Sequence, residues 1–404
     1  MNKKRKILII GNYPPPFGGV PYHIEMLSQH LAKNDWDCTI LSGGTSGIES
    51  KEKLLIIKPT YLQKLVAFFS GLLNASIIKY YLPFKIKGDN WRLFFRYINY
   101  SQIAYRQMKN EKYTVVVSYN LLSYGPVGGY LSNVFKIPHI LNIFGEIYKY
   151  NVVLDNAVFY SMIANTSQKL LSCSDHCGKS IKQINSIAVP ETVIYGIDLD
   201  HFKPEDSPPH SFQKKYSLNL NEPIVLFVGR LSYEMGLNSF VELSKELWKT
   251  HPHVQFVAAG QKADSYELGQ KHAAEYSKFK IHASIPYEDL CKFYQTSSVL
   301  AVPTHGLRTC SSLAAMEAMS TRKPVVAFAT GGIPEILIHG SNGFLVEEND
   351  IQQMSKFIKS LLDDSHLYQS VATAALQYAR EHFDINSVNV KMERHIIDVI
   401  EDAR

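Results

Sequence analysis

Short runs of apolar and β-branched residues alternate along the chain with longer stretches that have helical periodicity. Such an alternation predicts parallel β-sheets with helices packed on their faces. The series occurs twice and is interrupted once, near residue 200. In the first series the runs are Lys6–Ile10, Cys38–Leu41, Thr114–Ser118, Ile140–Ile143 and Leu170–Ser174. In the second they are Ile224–Val228, Val254–Ala258, Lys280–Ala283, Val299–Val302, Val325–Phe328 and Phe344–Val346.

The interruption is a polar stretch that contains Pro204, Pro208 and Pro209, which is typical of a linker. We therefore predict an N-terminal Rossmann-like domain over residues 1–195, a linker over 196–221 and a C-terminal Rossmann-like domain over 222–383. Residues 384–404 are predicted to form a helix that returns toward the N-terminal domain. No repeat with a period of about 20 to 50 residues is visible, which excludes solenoids and propellers.

Composition supports two globular domains, because 404 residues exceed what one core comfortably holds. A hydrophobic content of 46% with 20% charged residues excludes a disordered chain. The net charge of +5 is too small over this length to predict a nucleic-acid partner. The five cysteines are odd in number and scattered, which favours a reducing compartment over a disulfide framework.

The chain begins with a basic cluster and a very short apolar run, which predicts a first strand and not a signal peptide. Lys64, Asn74 and Lys79 interrupt the most apolar region, so no membrane-spanning helix is predicted there. We therefore expect a cytoplasmic protein.

A glycine-containing loop follows the first strand, with Gly11 at its start and Gly18 and Gly19 at the mouth of an amphipathic helix. Glycines in that place let an anion approach bare backbone amides. The spacing does not fit G-x-G-x-x-G, which removes the main support for a nicotinamide-dependent dehydrogenase. The alternative is that these glycines only turn the chain into the helix.

A second candidate loop follows the strand that ends near Pro303, and we predict a helix that starts near Ser311. The amides of the helix start would form a positive terminus aimed at a phosphate. The predicted amide donors are Cys310, Ser311, Ser312 and Leu313. Side chains lean toward a helix N-terminus, so the Glu317 carboxylate could reach the same ligand and accept ribose hydroxyl groups. Alanines and methionines surround Glu317, and a buried acid needs a partner.

At these residues the sequence resembles the large family 4, or group 1, of retaining glycosyltransferases. The resemblance covers nearly the whole chain. It rests on Gly18-Gly19-Val20, Gly196-Ile197-Asp198, FVGRL with Gly236, IPYEDLCKFYQTSSVLAVPT, LAAMEAM, KPVVAFATGGIPEI and NGFLV. It implies a GT-B fold, in which two Rossmann-like domains face each other across a cleft.

The resemblance also implies roles for single residues. Gly19 would lie beside the donor phosphate or the acceptor, Arg230 would bind the diphosphate and Glu317 would hold the ribose. Gly331, Gly332 and Glu335 would shape the loop that faces the sugar. The donor would be a UDP- or GDP-sugar, used as a substrate, with no other cofactor and no metal. Asp198-Leu199-Asp200 spells D-x-D, but it lies in the linker motif.

Three positions depart from the family pattern. Met235 stands where the family has a second diphosphate-binding lysine, and Thr309 stands where it has the first of two glutamates. Phe144 stands where a histidine is common. Losing one donor to a developing anion costs about 3 kcal/mol unless another group replaces it. Arg308 and Lys262 are candidate replacements, and we assign catalysis to Arg230, Arg308 and Thr309.

Residues 61–106 contain seven Lys or Arg against the single acidic Asp89, interleaved with aromatic and aliphatic side chains. This composition is typical of a segment that lies on an anionic membrane surface. The alternative is a helical pair that covers the N-terminal sheet, and both descriptions can hold. Nucleic-acid binding would also use basic and aromatic residues, but no recognition module accompanies them. We therefore expect a peripheral protein on the inner face of the cell membrane.

The resulting prediction is transfer of a hexosyl unit from a nucleoside diphosphate sugar to an acceptor hydroxyl with retention. The expected acceptor is a cell-surface polysaccharide or a lipid-linked glycan. The rival hypothesis is a catalytically impaired protein that binds a nucleotide-sugar or serves another transferase as a partner subunit. A third candidate, a nucleotide-sugar 2-epimerase of the same fold, would need acid–base carboxylates and a histidine that the sequence does not place.

Overall fold

Both series of apolar runs form β-sheets in the structure, a computed structural model that describes residues 5–15, 18–43, 47–148, 151–205, 210–307 and 309–403. The chain divides into two units. The N-terminal domain consists of residues 1–195 with 386–404, and the C-terminal domain consists of residues 196–385. Each domain has its own sheet, flanking helices and hydrophobic core.

The N-terminal sheet has the strand order β3-β4-β2-β1-β5-β6-β7-β8. Its neighbouring strands are parallel except for β3, which pairs antiparallel with β4. The strands are β1 (Arg5–Ile10), β2 (Trp36–Leu41), β3 (Gly47–Lys51), β4 (Leu54–Lys58), β5 (Val115–Tyr119), β6 (His139–Ile143), β7 (Lys169–Ser172) and β8 (Glu191–Thr192). The five runs predicted for this half are confirmed as strands.

The helices of this domain fall mostly between the strands, as expected for a wound α/β sheet. They are α1 (Gly19–Lys33), α2 (Tyr61–Leu72), α3 (Ala75–Tyr81), α4 (Trp91–Asn110), α5 (Gly125–Phe135), α6 (Asn151–Asp155), α7 (Ala157–Thr166) and α8 (Asp175–Ser180). A π-helical turn over Asn120–Tyr124 links β5 to α5.

The core of the N-terminal domain is unusually aromatic on the side covered by α3, α4 and α7. Tyr81, Tyr97 and Phe159 are buried together, with the Tyr81 and Tyr97 rings stacked at 5.6 Å between centroids. The hydroxyl groups of the two tyrosines are hydrogen-bonded, since Tyr97 donates to the Leu122 carbonyl and Tyr81 pairs with Ser101. Burying these polar ends therefore carries little penalty.

The predicted membrane-facing segment forms three helices, α2, α3 and α4, of which α2 and α4 pack against each other. The N-terminus of α2 is closed by a capping box between Thr60 and Gln63. Ala67 and Gly71 are its buried residues, and a side chain at Gly71 would meet Ile98 of α4 at 2.7 Å. Among the described residues no single helix is long and apolar enough to span a membrane, and the α2–α3 pair reaches that composition only with an 88° bend.

The C-terminal sheet is entirely parallel, with the strand order β11-β10-β9-β12-β13-β14. Its strands are β9 (Ile224–Val228), β10 (Gln255–Gly260), β11 (Phe279–Ala283), β12 (Val299–Val302), β13 (Val325–Phe328) and β14 (Phe344–Val346). Its helices are α9 (His210–Tyr216), α10 (Leu237–Trp248), α11 (Tyr266–Glu275), α12 (Tyr287–Thr296), α13 (Leu313–Ser320), α14 (Ile351–Asp363) and α15 (Ser365–His382). The six predicted runs are confirmed as strands.

The stretch expected to be a linker contains α9, which packs within the C-terminal domain. The rings of Phe212 and Tyr216 lie 5.1 and 4.6 Å from that of Phe293 in α12. The side chain of Asp198 accepts hydrogen bonds from the amides of Asp200 and His201, so this carboxylate closes a local turn. The contact area of α9 is aromatic, which explains why part of a polar stretch folds against the domain.

The last helix, α16 (Ile385–Asp402), packs within the N-terminal unit from residue 386 onward. Its Glu393 accepts hydrogen bonds from the Trp36 indole and the Asn34 amide, and it pairs with His30. One carboxylate thereby ties the helix to α1, to its end and to β2.

Candidate functional site

The C-terminal sheet reverses its strand order between β9 and β12, because β10 and β11 lie on one side and β13 and β14 on the other. In open α/β sheets, ligands bind beyond the carboxyl ends of the strands at such a reversal. Arg230 follows β9 there, and the loop from Pro303 to Thr309 follows β12. The topology therefore brings two of the predicted segments to one edge of the sheet.

Gly236 allows the loop after β9 to contact the loop after β12. Its φ of +91° lies in the left-handed region, and a Cβ there would stand 1.8 Å from the Pro303 carbonyl oxygen. The His305 amide also donates to the Glu234 carbonyl at 2.9 Å. Any other residue at Gly236 would force the two loops apart.

Gly331 has a matching role between the loops after β12 and β13. Its φ is +56°, and a Cβ would meet the Thr309 carbonyl oxygen at 2.1 Å. The Gly332 amide donates to that same oxygen at 2.8 Å. The structure thus brings Thr309 together with the two glycines that the resemblance assigns to the sugar-facing loop. Arg308, the predicted neighbour in catalysis, lies outside the described residues.

The Arg230 guanidinium lies at this edge with 54% of its side chain exposed. Its Nη2 atom is 3.9 Å from a Glu234 carboxylate oxygen and 3.9 Å from the Met235 sulfur. An exposed ion pair at that distance contributes little, about 0 to 1 kcal/mol. A diphosphate could therefore replace Glu234 as the partner of Arg230 at small cost.

The position that the family gives to a second cation holds the Met235 thioether, directly beside Arg230. Lys262, a predicted replacement, contacts two side chains of α11. Its ammonium lies 2.8 Å from Glu267 and 4.6 Å from the centroid of the Tyr266 ring. This ion pair is also exposed, and the Lys262 backbone pairs with Leu231 next to Arg230, so Lys262 stays a candidate for the second cation.

The helix after the β12 loop begins at Leu313, two residues later than predicted. Ser312 is its N-cap and accepts a hydrogen bond from the Ala315 amide. The serine side chain stops the helix from extending backward, so Cys310 and Ser311 precede it. Of the four predicted amide donors, only Leu313 belongs to the helix itself.

Glu317 lies in α13 with 8% of its surface exposed. Tyr294 of α12 donates a 2.6 Å hydrogen bond to its Oε2 atom, which supplies the partner that a buried acid requires. Burial raises the pKa of Glu317 to about 8, and the Tyr294 hydrogen bond opposes that rise. The carboxyl group is therefore poised to change its protonation state near neutral pH.

His305 is a residue of this edge that the sequence reasoning missed. It is buried between Ser239 at 2.9 Å and Glu348 at 3.0 Å, and its ring stacks on Tyr233. Glu348 also accepts the Gly306 amide at 3.1 Å. The sequence offered its position as a signal, since a histidine three residues after the end of a buried strand falls at the carboxyl edge of the sheet. His305 fixes the start of the β12 loop.

In the N-terminal domain, Gly18 is the N-cap of α1 and Gly19 is its first residue. The backbone of Gly18 is extended, and its carbonyl accepts from the Tyr22 amide. The loop before it is anchored by the buried Lys58, whose ammonium donates to the Pro14 carbonyl at 2.8 Å. The predicted glycines therefore stand at a helix start, as expected from the sequence.

Phe144 follows β6, and its amide donates to the buried Glu146 at 2.8 Å. Glu146 also accepts from the Leu121 amide, and burial raises its pKa to about 7. The Phe144 ring lies edge-on to Tyr195, which stacks on His23 at 3.9 Å between centroids. Burial lowers the pKa of His23 to about 3, so its ring is neutral. An aromatic cluster thus occupies the place where the family commonly has a histidine.

Comparison with known proteins bears on this site, since residues 210–378 match the family model described as "Glycosyl transferases group 1". Over these residues the chain is similar to the group 1 glycosyltransferases. The matched segment contains Arg230, Thr309 and Glu317. It ends before α16.

A D-inositol 3-phosphate glycosyltransferase of Corynebacterium aurimucosum is 27% identical over 243 residues, which are 57% of this chain and 54% of the relative. This chain therefore spans about half the length of that curated relative.

Among solved structures, the sucrose-phosphate synthase of Thermosynechococcus elongatus has a TM-score of 0.79 at 17% identity, with 98% of this chain and 100% of that chain covered. Anabaena HepE, solved in complex with UDP-glucose, has a TM-score of 0.71 at 16% identity and covers 97% and 99%. These likenesses show the fold, which is GT-B.

Proposed function

We propose that this glycosyltransferase moves a hexosyl unit from a UDP- or GDP-sugar to an acceptor hydroxyl, with retention of configuration. The observation that carries the proposal is the convergence of Arg230, Thr309 and α13 with Glu317 at the strand-order reversal of the C-terminal sheet. HepE has been solved with UDP-glucose, which supports a nucleotide-sugar donor. The proposed pathway is assembly of a cell-surface polysaccharide or a lipid-linked glycan.

The residues of this edge suit the two ends of a nucleoside diphosphate. Arg230 is a half-exposed cation whose ion pair with Glu234 is weak. It would bind the diphosphate of the nucleotide, which is part of the leaving group. Glu317 would accept hydroxyl groups of the ribose. The N-terminus of α13 would add the partial positive charge of a helix end. Charge that develops on the diphosphate in the transition state is thereby stabilised without a metal.

A specific observation favours the rival hypothesis, in which the protein binds a nucleotide-sugar without turning it over. The Met235 sulfur occupies the place of a cation beside Arg230, and a thioether cannot stabilise a developing anion as an ammonium does. Thr309 and Phe144 stand at two further positions that usually carry ionisable side chains. Binding by itself therefore does not decide between the two functions.

The deciding experiment is a screen of common UDP- and GDP-sugars against the purified full-length chain by thermal shift. Each sugar that raises the melting temperature is then tested for release of UDP or GDP with and without candidate acceptors. Release of the nucleoside diphosphate by the wild-type chain supports the transferase. The opposite result is a wild-type chain that binds a nucleotide-sugar without turnover, together with a Met235→Lys, Thr309→Glu double variant that is active. That result would identify the natural protein as a binding subunit.

We further propose that α2 and the start of α4 rest on an anionic membrane. Bulky apolar side chains are exposed on this surface. They are Tyr61, Leu62, Val66, Phe69, Leu73 and Trp91. Interleaved cations would meet lipid headgroups, each worth about 1 kcal/mol near the surface. A membrane position would suit an acceptor carried by a lipid.

A further inference from the structure

The N-terminal sheet also reverses its strand order, between β1 and β5. A cavity of about 280 Å³ lies beyond the carboxyl ends of these strands. Asn12 lines it after β1, Gly43 after β2 and Tyr124 after β5. This is the place where an open α/β sheet binds its ligand. The donor site proposed above lies in the other domain, so this cavity is unused by it.

Three cations line the cavity, Lys64 from α2 and Arg92 and Arg96 from α4. Its lining residues include no aspartate or glutamate. In the part of the chain that the structure describes, none of the three cations forms an ion pair, whereas Lys58 and Lys169 of the same domain do. Burial and the nearby Arg96 lower the pKa of Lys64, so the positive charges here oppose one another. An anionic ligand would relieve that repulsion.

Aromatic rings hold these cations in place instead of acids. The Lys64 ammonium lies 5.8 Å from the centroid of the Tyr100 ring, and the Arg96 guanidinium lies 5.8 Å from that of Tyr124. The two tyrosines are in turn fixed, since Tyr124 donates to the Asn12 side chain at 2.7 Å and Tyr100 to the Ser42 carbonyl at 3.2 Å. The cations therefore keep their charge available while their positions are constrained.

The cavity also has unused polar capacity. Asn99 is buried at its wall, and among the described residues its Oδ1 atom has no hydrogen-bond partner. A hydroxyl donor on the ligand could satisfy such an atom. The volume is at the small end for a ligand pocket, for which about 300 to 1,000 Å³ is common, and suits a phosphate with one attached group.

We propose that this cavity binds a phosphate group of the acceptor through Lys64, Arg92 and Arg96. The inference rests on the proposed transferase function and names the chemical class of its second substrate. The phosphate could belong to a soluble phosphorylated acceptor or join a glycan to a lipid. The exposed apolar face of α2 beside the cavity makes the lipid source physically accessible. Both sources share the phosphate chemistry that the three cations recognise.

The test is calorimetric titration of pyrophosphate into the full-length chain saturated with UDP, so that the nucleotide site is filled. We expect Arg92→Ala and Arg96→Ala each to weaken pyrophosphate binding by about tenfold or more, as loss of a charge-assisted hydrogen bond predicts. Arg106→Ala is the matched control, because Arg106 lies in the same helix but donates to Ser70 outside the cavity. Arg92 is exposed at the rim, so its replacement should not disturb folding.

The proposal is overturned if wild type does not bind pyrophosphate, if neither cavity variant binds more weakly, or if Arg106→Ala weakens binding as much as they do. Flotation with phosphatidylcholine vesicles, with and without phosphatidic acid, identifies the source. A lipid phosphate is indicated if Arg96→Ala reduces the phosphatidic acid effect more than Arg106→Ala does. A soluble phosphate is indicated if pyrophosphate binding depends on Arg96 and vesicle binding does not.

These outcomes are separable from the proposed function. A chain that shows the expected pyrophosphate results but releases no UDP or GDP from any nucleotide-sugar retains the phosphate site and loses the transferase assignment. A chain that turns over, but whose Arg92→Ala and Arg96→Ala variants keep wild-type acceptor KM and pyrophosphate affinity, is a transferase without this site.

Discussion

The two domains have the same kind of sheet, but they place different side chains at the reversal of strand order. In the C-terminal domain the edge holds Arg230 beside Glu234 and a buried acid, Glu317, bonded to Tyr294. In the N-terminal domain the edge holds three cations and no acid in the cavity lining. Topology therefore determines where each domain can bind a ligand, and side chains decide what that ligand is.

The charge balance gives this difference its functional meaning. A nucleoside diphosphate presents both an anionic and a hydroxyl-rich end, which suits a cation and an acid at one edge. A phosphate presents only the anionic end, which suits a cavity lined by cations. The comparison fails if variants at one edge turn out to act on the ligand of the other.

The largest effect is expected at Arg230. Arg230→Ala should lower turnover by about 10²- to 10³-fold, because removing one donor to a developing anion costs roughly 2.7 to 4 kcal/mol. Release of UDP or GDP at a saturating donor concentration measures the turnover. Arg322→Ala is the matched control, since Arg322 is an exposed arginine of the same domain that donates to Gln369. Equal turnover in Arg230→Ala and wild type would remove Arg230 from the reaction.

Above pH 8, where Glu317 is ionised, its replacement by glutamine should weaken UDP binding by about tenfold to a hundredfold, since hydrogen bonds to charged groups contribute roughly 1.5 to 3 kcal/mol. Calorimetry on the full-length chain measures the change. Pyrophosphate binding in the N-terminal cavity should be unaffected, which tests the separation of the two edges. Unchanged UDP affinity would show that Glu317 does not contact the ribose.

The same acid should make the folding stability of the protein depend on pH. Because the pKa of Glu317 is raised to about 8 in the folded chain, the folded state holds a proton that the unfolded state releases from about pH 4.5 upward. The stability that neutral Glu317 contributes is fully present below about pH 4.5 and is lost as the pH rises through about 8. Glu146, with a pKa raised to about 7, acts in the same direction.

Melting temperatures between pH 5 and 8.5 should therefore fall less steeply for Glu317→Gln than for wild type. UDP affinity should change in the opposite sense, rising through pH 8 in wild type as the carboxylate forms. A wild-type UDP affinity that is flat over this range would show that ionised Glu317 is not the acceptor of the ribose hydroxyls.

A smaller effect is expected from the apolar surface of the N-terminal domain. Leu73→Glu, at a position 88% exposed, should reduce binding to anionic vesicles severalfold, because it replaces an apolar contact by a repelled charge. Val158→Glu is the control, since Val158 is 83% exposed on α7. Flotation at rising salt measures both variants. Binding that is independent of anionic lipid would leave α2 as a covering helix only.

The smallest effect is expected from Met235→Lys, which should raise turnover or leave it unchanged. The new ammonium would join Arg230 and make the C-terminal edge resemble the cation-rich N-terminal one, while Glu317 keeps the two distinct. The steady-state rate of UDP or GDP release measures the turnover. A marked loss of turnover would mean that the thioether has a role of its own beside Arg230.

The sequence alone determined the two α/β domains and the positions of most of their strands along the chain, because buried parallel strands are continuous apolar runs that periodicity detects. It missed β3, β4 and β8. β3 is a polar edge strand, Gly47–Lys51, whose pairing with β4 depends on the neighbouring sheet and not on its own composition. It also predicted that Glu317 would be buried, from the alanines and methionines around it.

Only the tertiary structure decided which polar atoms meet. Tyr294 reaches Glu317 from another helix, His305 joins Ser239 to Glu348, and the Met235 sulfur lies against Arg230. The sequence showed the cations of the N-terminal cavity as part of a basic segment, but it did not predict that they line a cavity. The physical reason is that periodicity records which face of an element is buried. The partners of a polar side chain depend on loops and on close approaches of backbone that residues distant in sequence create.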